Sequence, residues 1–272
     1  GSETLGSIVS PATRCGVTGL RPTFGRVSRH GAMPLSWSMD KLGPLARTVE
    51  DCALVLDAVH GADGLDPAAR TAEFEWDVER PATGLRVGFY RAGFESDEAT
   101  ALDRRALEVL RGMGLDLVPV ELPESSPTEA LGIILYAEAA TAFDELTRSD
   151  RIEELVRQDE GAWPNIFRGG RFIPAVEYIR ANRIRTRILR ELEASLEGID
   201  AFVAPSFADP VLLMTNLTGH PAVLVPNGFE DDGTPVGITF VGRLWGESEL
   251  LSVSRAYQAE TGFHRRRPPG FG

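Results

Sequence analysis

Lysine is almost absent from this 272-residue chain: of its 28 basic residues, 27 are arginine and one, Lys41, is lysine. Chemistry that needs a lysine must use Lys41 or take one from elsewhere. Cysteine is nearly as scarce. Cys15 and Cys52 cannot build a disulfide framework, and His30, His60, His220 and His264 are scattered, so no zinc-ligand spacing such as C-x2-C or H-E-x-x-H is present. A reducing, cytoplasmic compartment is the default expectation. No apolar run reaches the roughly 18 residues that a membrane span needs, and no basic start followed by an apolar stretch marks a signal peptide. Positive charge is in deficit, with 28 basic against 40 acidic residues. The formal net charge of −12 argues against direct binding of nucleic acid or of an anionic membrane by this chain.

What is there is the composition of a folded protein, 43% apolar and 25% charged, and long enough for a sizeable core. Residues 1–46 are rich in Gly, Pro, Ser and Thr and read as short strands and ordered loops. Arg47 to His60 reads as a helix, with a capping box at Thr48 and Asp51 and a stop at Gly61. Ala62 to Thr83 is a polar surface connection. Residues 85–90 read as a strand. Leu102, Ala106, Val109, Leu110 and Met113 then line one helical face, which Gly114 closes. Leu115 to Val120 is a strand, and Glu129 to Thr147 and Ala175 to Leu196 are longer helices. In the second of these, Ala181, Ile184, Ile188 and Leu192 form the buried stripe, and Arg180, Arg183, Arg187 and Arg190 form a solvated face. Residues 201–204 and 236–241 are strands, and Glu247 to Thr261 is the last helix. Strands alternating with helices predict one α/β domain over residues 1–272. There is no internal repeat and no low-complexity segment.

Chemistry is concentrated at the start. Residues 1–11 read Gly-Ser-Glu-Thr-Leu-Gly-Ser-Ile-Val-Ser-Pro. A serine after a tight glycine-containing turn can stand among converging backbone N–H groups, which stabilise the oxyanion of acyl transfer. By itself such a turn is more often only a turn. The residues that follow add specificity: Cys15-Gly16-Val17-Thr18-Gly19-Leu20-Arg21-Pro22-Thr23-Phe24-Gly25-Arg26-Val27-Ser28, then His30-Gly31, Pro34-Leu35, Ser38-Met39-Asp40, Gly43-Pro44 and Ala46 to Asp51. Downstream come Asn216 to Ala222, Val225 to Gly228, Pro235 to Gly237 and Val241 to Arg243. This ordered set resembles the amidase signature family of amide hydrolases, strongly over residues 1–61 and 199–256 and weakly over the variable stretch 62–198.

The resemblance implies a fold and a site. The fold is a mixed central β-sheet flanked by helices, of which this chain supplies the C-terminal part. The family uses a Ser–cis-Ser–Lys triad, and its nucleophile maps to Ser7. Backbone N–H groups of Thr4, Leu5, Gly6 and Ser7 would form the oxyanion hole. The bridging serine and the lysine lie upstream in the family, so the chain is expected to begin inside the active-site motif and to lack its base. Its uncovered apolar faces and strand edges would then favour association, with a homodimer left open. No metal or organic cofactor is implied. Three positions depart from the family's usual residues: Glu3 for Asp, Leu5 for Gly and Val9 for Arg. Leucine would be strained if the turn needs a positive φ at residue 5.

The expected activity is hydrolysis of a small-molecule carboxylic amide, at a non-peptide C–N bond, through a serine acyl-enzyme. Asp209, seven positions before Asn216, resembles an aspartate of the glutamine-using A component of tRNA-dependent amidotransferases, which holds the substrate ammonium. That alternative implies partner subunits. Asn216 and Gly219 either fix a turn or form the pocket rim. An inactive remnant lacking the lysine is the third alternative. Among other readings, Ser38-Met39-Asp40-Lys41 matches S-x-x-K, but with no second lysine the K-T-G element of that mechanism is missing. A Ser7–His30–Asp40 triad is conceivable, although Asp40 fits better as a buried residue that orders the loops around Ser7. Cys15 fits as a small packed residue and not as a nucleophile.

Overall fold

A computed structural model describes residues 1–123, 132–268 and 270. In chain order its elements are β1 (Ser2–Glu3), α1 (Val9–Cys15), β2 (Thr18–Arg21), β3 (Lys41–Leu42), β4 (Leu45–Ala46), α2 (Val49–Val59), β5 (Val87–Tyr90), α3 (Arg91–Glu95), α4 (Ala101–Gly112), β6 (Leu117–Val120), α5 (Gly132–Ala142), α6 (Asp144–Arg148), α7 (Trp163–Gly170), α8 (Ala175–Ser195), β7 (Ala201–Pro205), α9 (Val211–Thr218), β8 (Ala222–Phe229), β9 (Pro235–Gly242) and α10 (Glu247–Thr261).

Seven strands form a mixed sheet in the order β4-β2-β8-β9-β7-β5-β6. From β4 to β7 each pair is antiparallel, whereas β7, β5 and β6 run parallel. The side-chain alternation of each strand divides the core in two. Ala201, Val203, Val223, Ile238 and Phe240 point to a layer formed with α2, α4 and α10, which contribute Leu56, Leu110, Leu250 and Tyr257. Phe202, Ala204, Ala222 and Val241 point to the opposite layer, with Ile188 and Leu192 of α8 and Met214 and Leu217 of α9. Helices cover both faces, so β7 and β8 are almost continuously buried and carry few polar residues. No helix among the described residues is long and apolar enough to cross a membrane.

Several expected elements are found. The capping box at Thr48 and Asp51 starts α2, and Gly61, at φ +109°, lies just beyond its end. Gly114 at φ +81° follows α4. In α8, Ala181, Ile188 and Leu192 are buried, and Arg180, Arg183, Arg187 and Arg190 are exposed. Other elements differ from the sequence reading. The helix expected over 129–147 is two helices, α5 and α6, and residues 129–131 lie outside the described residues. The break falls at Phe143, whose ring stacks on Phe167 of α7 with centroids 4.6 Å apart. Residues 9–15, expected as loop, form α1; Pro11 is tolerated because its missing N–H falls in the first turn, where that donor has no helical partner. Helix α9 is buried nearly all round and so shows no amphipathic stripe. Pro226 and Gly228 look like strand breakers, but they flank the register shift where β8 bulges against β9.

One buried ion pair joins the two ends of the chain. Glu247, the first residue of α10, accepts from Arg26 Nη2 at 2.5 Å and from Thr23 N at 2.8 Å. Arg26 also donates to the carbonyls of Ala72, Glu73 and Trp245, and both charged side chains are fully buried. Removing one partner of such a pair leaves an uncompensated charge. Glu247→Ala is therefore expected to lower the unfolding free energy by about 3 kcal/mol, read by urea denaturation. A change under about 1 kcal/mol would show that the pair does not hold the termini together.

Candidate active site

The Ser7 turn is built outward from Glu3. β1 pairs antiparallel with β3, setting Glu3 opposite Lys41. Beyond β1 the chain turns into α1, and Gly6 supplies the positive φ, +87°. A side chain at Gly6 would also press on Leu212, with Cβ 3.2 Å from its Cδ2. Among the described residues the non-glycine positions with positive φ are Asp150 and Trp245, so Leu5 is unstrained. The backbone N–H groups of Ile8 and Val9 both donate to Glu3 Oε2, at 2.8 and 3.0 Å. Those of Leu5, Gly6 and Ser7 have no acceptor among the described residues. Ser7 itself is exposed.

Asp40 fixes the facing loop. Its Oδ1 accepts from Thr4 Oγ1 at 2.5 Å, and its Oδ2 accepts from the N–H groups of Leu35 and Ser36 at 2.8 and 2.9 Å. A deeper brace stands behind this loop. Buried Glu138 of α5 accepts from Ser36 Oγ (2.5 Å), Ser38 N (3.0 Å), Ser38 Oγ (2.7 Å) and Tyr178 OH of α8 (2.6 Å). Arg185 of α8 donates to Ser38 Oγ and to the carbonyls of Ser38 and Leu217. Burial works against the charge of Glu138, but these hydrogen bonds hold its carboxyl below the ordinary value.

Between the turn and the loop opens a cavity of about 650 Å³. Ser2, Thr4 and Ser7 form one side, with Arg29, His30, Asp40 and Asp66 among its polar lining and Phe143, Trp163 and Phe167 among its apolar lining. Arg29 forms a two-pronged ion pair with Asp66, at 2.7 and 2.9 Å, and also donates to the carbonyls of Trp37 and Asp40. The hydrogen bond from Arg29 holds the Asp66 carboxyl far below its ordinary value.

Of the expected oxyanion-hole residues, Thr4 and Ser7 line the cavity, and Leu5 and Gly6 complete the turn between them. Ser7, His30 and Asp40 share the cavity, yet both oxygens of Asp40 are occupied by Thr4 and the Leu35–Ser36 backbone. No Ser–His–Asp relay is assembled among the described residues. Asp209, Asn216 and Gly219 are not among the residues lining this cavity. Asp209 is exposed, and its carbonyl accepts from Tyr90 OH at 3.1 Å. Gly219 ends α9 at φ +82°. Asn216 is fully buried and donates to Glu3 Oε1 at 2.9 Å. Among the described residues no group of three His, Cys, Asp or Glu is placed to hold a metal.

Sequence reasoning noted Glu3 only as a departure and missed its role. Its Oε1 also accepts from Arg21 Nη1 at 2.7 Å, and Arg21 in turn donates to Thr215 Oγ1 and the His220 carbonyl. Lys41 is buried in the same cluster and donates to the Asn216 carbonyl at 3.4 Å. It does not line the cavity. Burial, reinforced by the charge of Arg21, pushes its pKa well below the ordinary lysine value. Burial also opposes the charge of Glu3, but the charges of Arg21 and Lys41 and the hydrogen bonds from Arg21 and Val9 overcome it, holding the carboxyl at about 2.

Comparison with known proteins finds relatives in sequence and in fold. The family described as Amidase matches residues 1–214. The A component of the glutamyl-tRNA(Gln) amidotransferase of Roseiflexus castenholzii is 33% identical, over 98% of this chain and 64% of that protein. Native peptide amidase from Stenotrophomonas maltophilia superposes with a TM-score of 0.80 at 32% identity, covering 100% of this chain and 63% of that one. An inhibitor-bound vestigial protein complex, described as revealing the origins of an s-triazine catabolic enzyme, gives a TM-score of 0.83 at 30% identity, over 96% of this chain and 62% of the other. The chain thus spans about 64% of the length of the curated relatives it matches.

The depressed pKa of Glu3 has a definite sign for stability. Its contribution is present above the ordinary value of 4.5 and is lost as pH falls towards about 2. Wild type is expected to lose about 3 kcal/mol more than Glu3→Gln across that window, measured by urea unfolding at a series of pH values. Parallel pH profiles would show that folding leaves the Glu3 pKa unshifted.

Proposed function

Because this chain belongs to the amidase family, the amidase signature hydrolases it resembles in sequence, we propose that it cleaves a carboxylic amide at a non-peptide C–N bond through an acyl-enzyme on Ser7. The observation that carries the reading is an exposed Ser7 at the cavity, on a turn whose Leu5, Gly6 and Ser7 N–H groups have no acceptor among the described residues. Ser7 Oγ attacks the amide carbonyl and gives up its proton to a base. The tetrahedral oxyanion lies against the free N–H groups of the turn. Its collapse breaks the C–N bond, and the nitrogen leaves, protonated, as ammonia or an amine. Water then attacks the ester, releasing the carboxylic acid and restoring Ser7. No metal or organic cofactor takes part.

A serine hydroxyl is a weak nucleophile until a base removes its proton. Lys41 is engaged in the cluster around Glu3, and His30 has no acidic partner in Asp40. In this reading a lysine and a bridging serine come from outside these 272 residues. A second reading draws on the curated relatives, which are named as the A components of glutamyl-tRNA(Gln) amidotransferases. There Ser7 hydrolyses glutamine and partner subunits receive the ammonia. A non-catalytic remnant is the third.

Two measurements separate these readings. A fluorophosphonate is expected to label Ser7 of the protein at its native length, and Ser7→Ala to cut amide turnover at least about a thousandfold. Absence of labelling would leave the remnant reading standing. The isolated 272 residues are expected to lack full amide turnover; full hydrolysis by them would place the base within them.

A further inference from the structure

We propose that His220 is a positioning residue for Ser7: its ring, clamped between Glu193 and Thr218, fixes the peptide carbonyl that aims Arg21 at Glu3. The proposal takes from the reading above only that Ser7 is the reacting group. The contacts that make it are interior to these 272 residues, since His220, Arg21 and Glu3 are all buried. A buried polar ring is costly unless both of its nitrogens find partners. Here both do: Nδ1 lies 2.7 Å from Thr218 Oγ1, and Nε2 lies 2.8 Å from Glu193 Oε1. Thr218 ends α9 and Glu193 stands on α8, so the ring joins two helices. The charged groups that act on the ring are Glu193 and Arg21, and Arg243 acts in turn on Glu193. Burial, with help from Arg21, holds the ring below the ordinary histidine pKa against the pull of Glu193, so it is neutral near neutral pH. The hydrogen bond from His220 holds the Glu193 carboxyl below its ordinary value. An ionised carboxylate only accepts, so the one ring proton sits on Nε2, and Nδ1 accepts from the Thr218 hydroxyl.

What the ring holds in place is its own main chain. The His220 peptide follows the left-handed turn at Gly219, where the chain leaves α9. Its carbonyl accepts from both Nε and Nη2 of Arg21, at 3.2 and 3.0 Å. Two bonds to one acceptor set the plane of the guanidinium, and they direct Nη1 at Glu3 Oε1, 2.7 Å away. The other oxygen of Glu3 takes the Ile8 and Val9 N–H groups that begin α1 behind Ser7. A side chain that keeps the Glu193 bond should therefore keep the turn, and one that loses it should not. Glutamine can direct an amide N–H at Glu193 while the Thr218 hydroxyl turns to the Met214 carbonyl, 2.9 Å away. Leucine fills the same space with no donor.

The test compares His220→Leu and His220→Gln in the protein at its native length. Amide hydrogen exchange at Ile8 and Val9 reports the turn, and exchange along β5 (Val87–Tyr90) reports the fold as a whole. His220→Leu is expected to speed exchange at Ile8 and Val9 about tenfold beyond any change in β5, and His220→Gln to stay within about threefold of wild type. Should the leucine variant fail to fold, Glu193→Ala, at a partly exposed side chain, is read in the same way. NMR of the ring nitrogens is expected to show the Nε2–H tautomer near neutral pH. Fluorophosphonate labelling of Ser7 is expected to slow about tenfold in His220→Leu and to recover in His220→Gln. Unchanged exchange at Ile8 and Val9, a rise shared equally by β5, a glutamine variant no better than leucine, or a ring that is charged or carries its proton on Nδ1 would overturn the inference. So would labelling of His220→Leu at the wild-type rate. A wild type that does not label would remove the Ser7 reading, and the exchange at Ile8 and Val9 then decides by itself whether His220 sets the turn.

Discussion

The carboxylate of Glu3 sits where four parts of the chain meet. It accepts two N–H groups at the start of α1, the guanidinium of Arg21 on β2 and the side-chain amide of Asn216 on α9. With β1 paired to β3, this one group fixes the direction in which the chain leaves the sheet and enters the Ser7 turn. Because Glu3 takes the Ile8 and Val9 donors, the turn's remaining N–H groups are the ones left open. A buried carboxylate is costly unless its lone pairs are filled, and here each oxygen has two partners. That completeness lets a two-residue strand and a seven-residue helix hold Ser7 in a defined place. Leucine at position 5 is compatible with the arrangement because the left-handed residue is Gly6.

The helices α8 and α10 and the cap of α2 were legible in the sequence, since an amphipathic period or a capping box is written in neighbouring residues. The family was legible through resemblance, because several segments occur in the family's order. What lay outside reach was long-range. Nothing near Glu3 announces a partner 213 positions away at Asn216, or the pairing of Arg26 with Glu247. Helix α9 and strand β8 escaped for a related reason: both are buried nearly all round, so neither shows the one-sided pattern that identifies an element. Asn216, weighed as a rim residue or a turn former, lies deep in the Glu3 cluster.

Two segments of different character share the cavity. Ser2 to Leu42 bring Ser7 and the loop polar groups, and they fall where the family resemblance is strong. Phe143, Leu146, Leu155, Trp163 and Phe167 come from the stretch where it is weak. Buried polar contacts join the halves, with Glu138 gathering Ser36, Ser38 and Tyr178 and Arg185 closing on Ser38 and Leu217, and Leu35 packs beside them against the cluster of Ala139, Ile152 and Phe167.

The burial of Lys41 also shapes the exterior of the molecule. Within these 272 residues no lysine ammonium faces solvent, so every exposed permanent cation of a side chain is a guanidinium. A guanidinium keeps its proton beyond about pH 12 and resists acylation under conditions in which a lysine amine reacts. The positive half of the surface is thus constant through alkaline pH. The side-chain cations that these 272 residues present are also inert towards the activated acyl compounds that modify lysine amines.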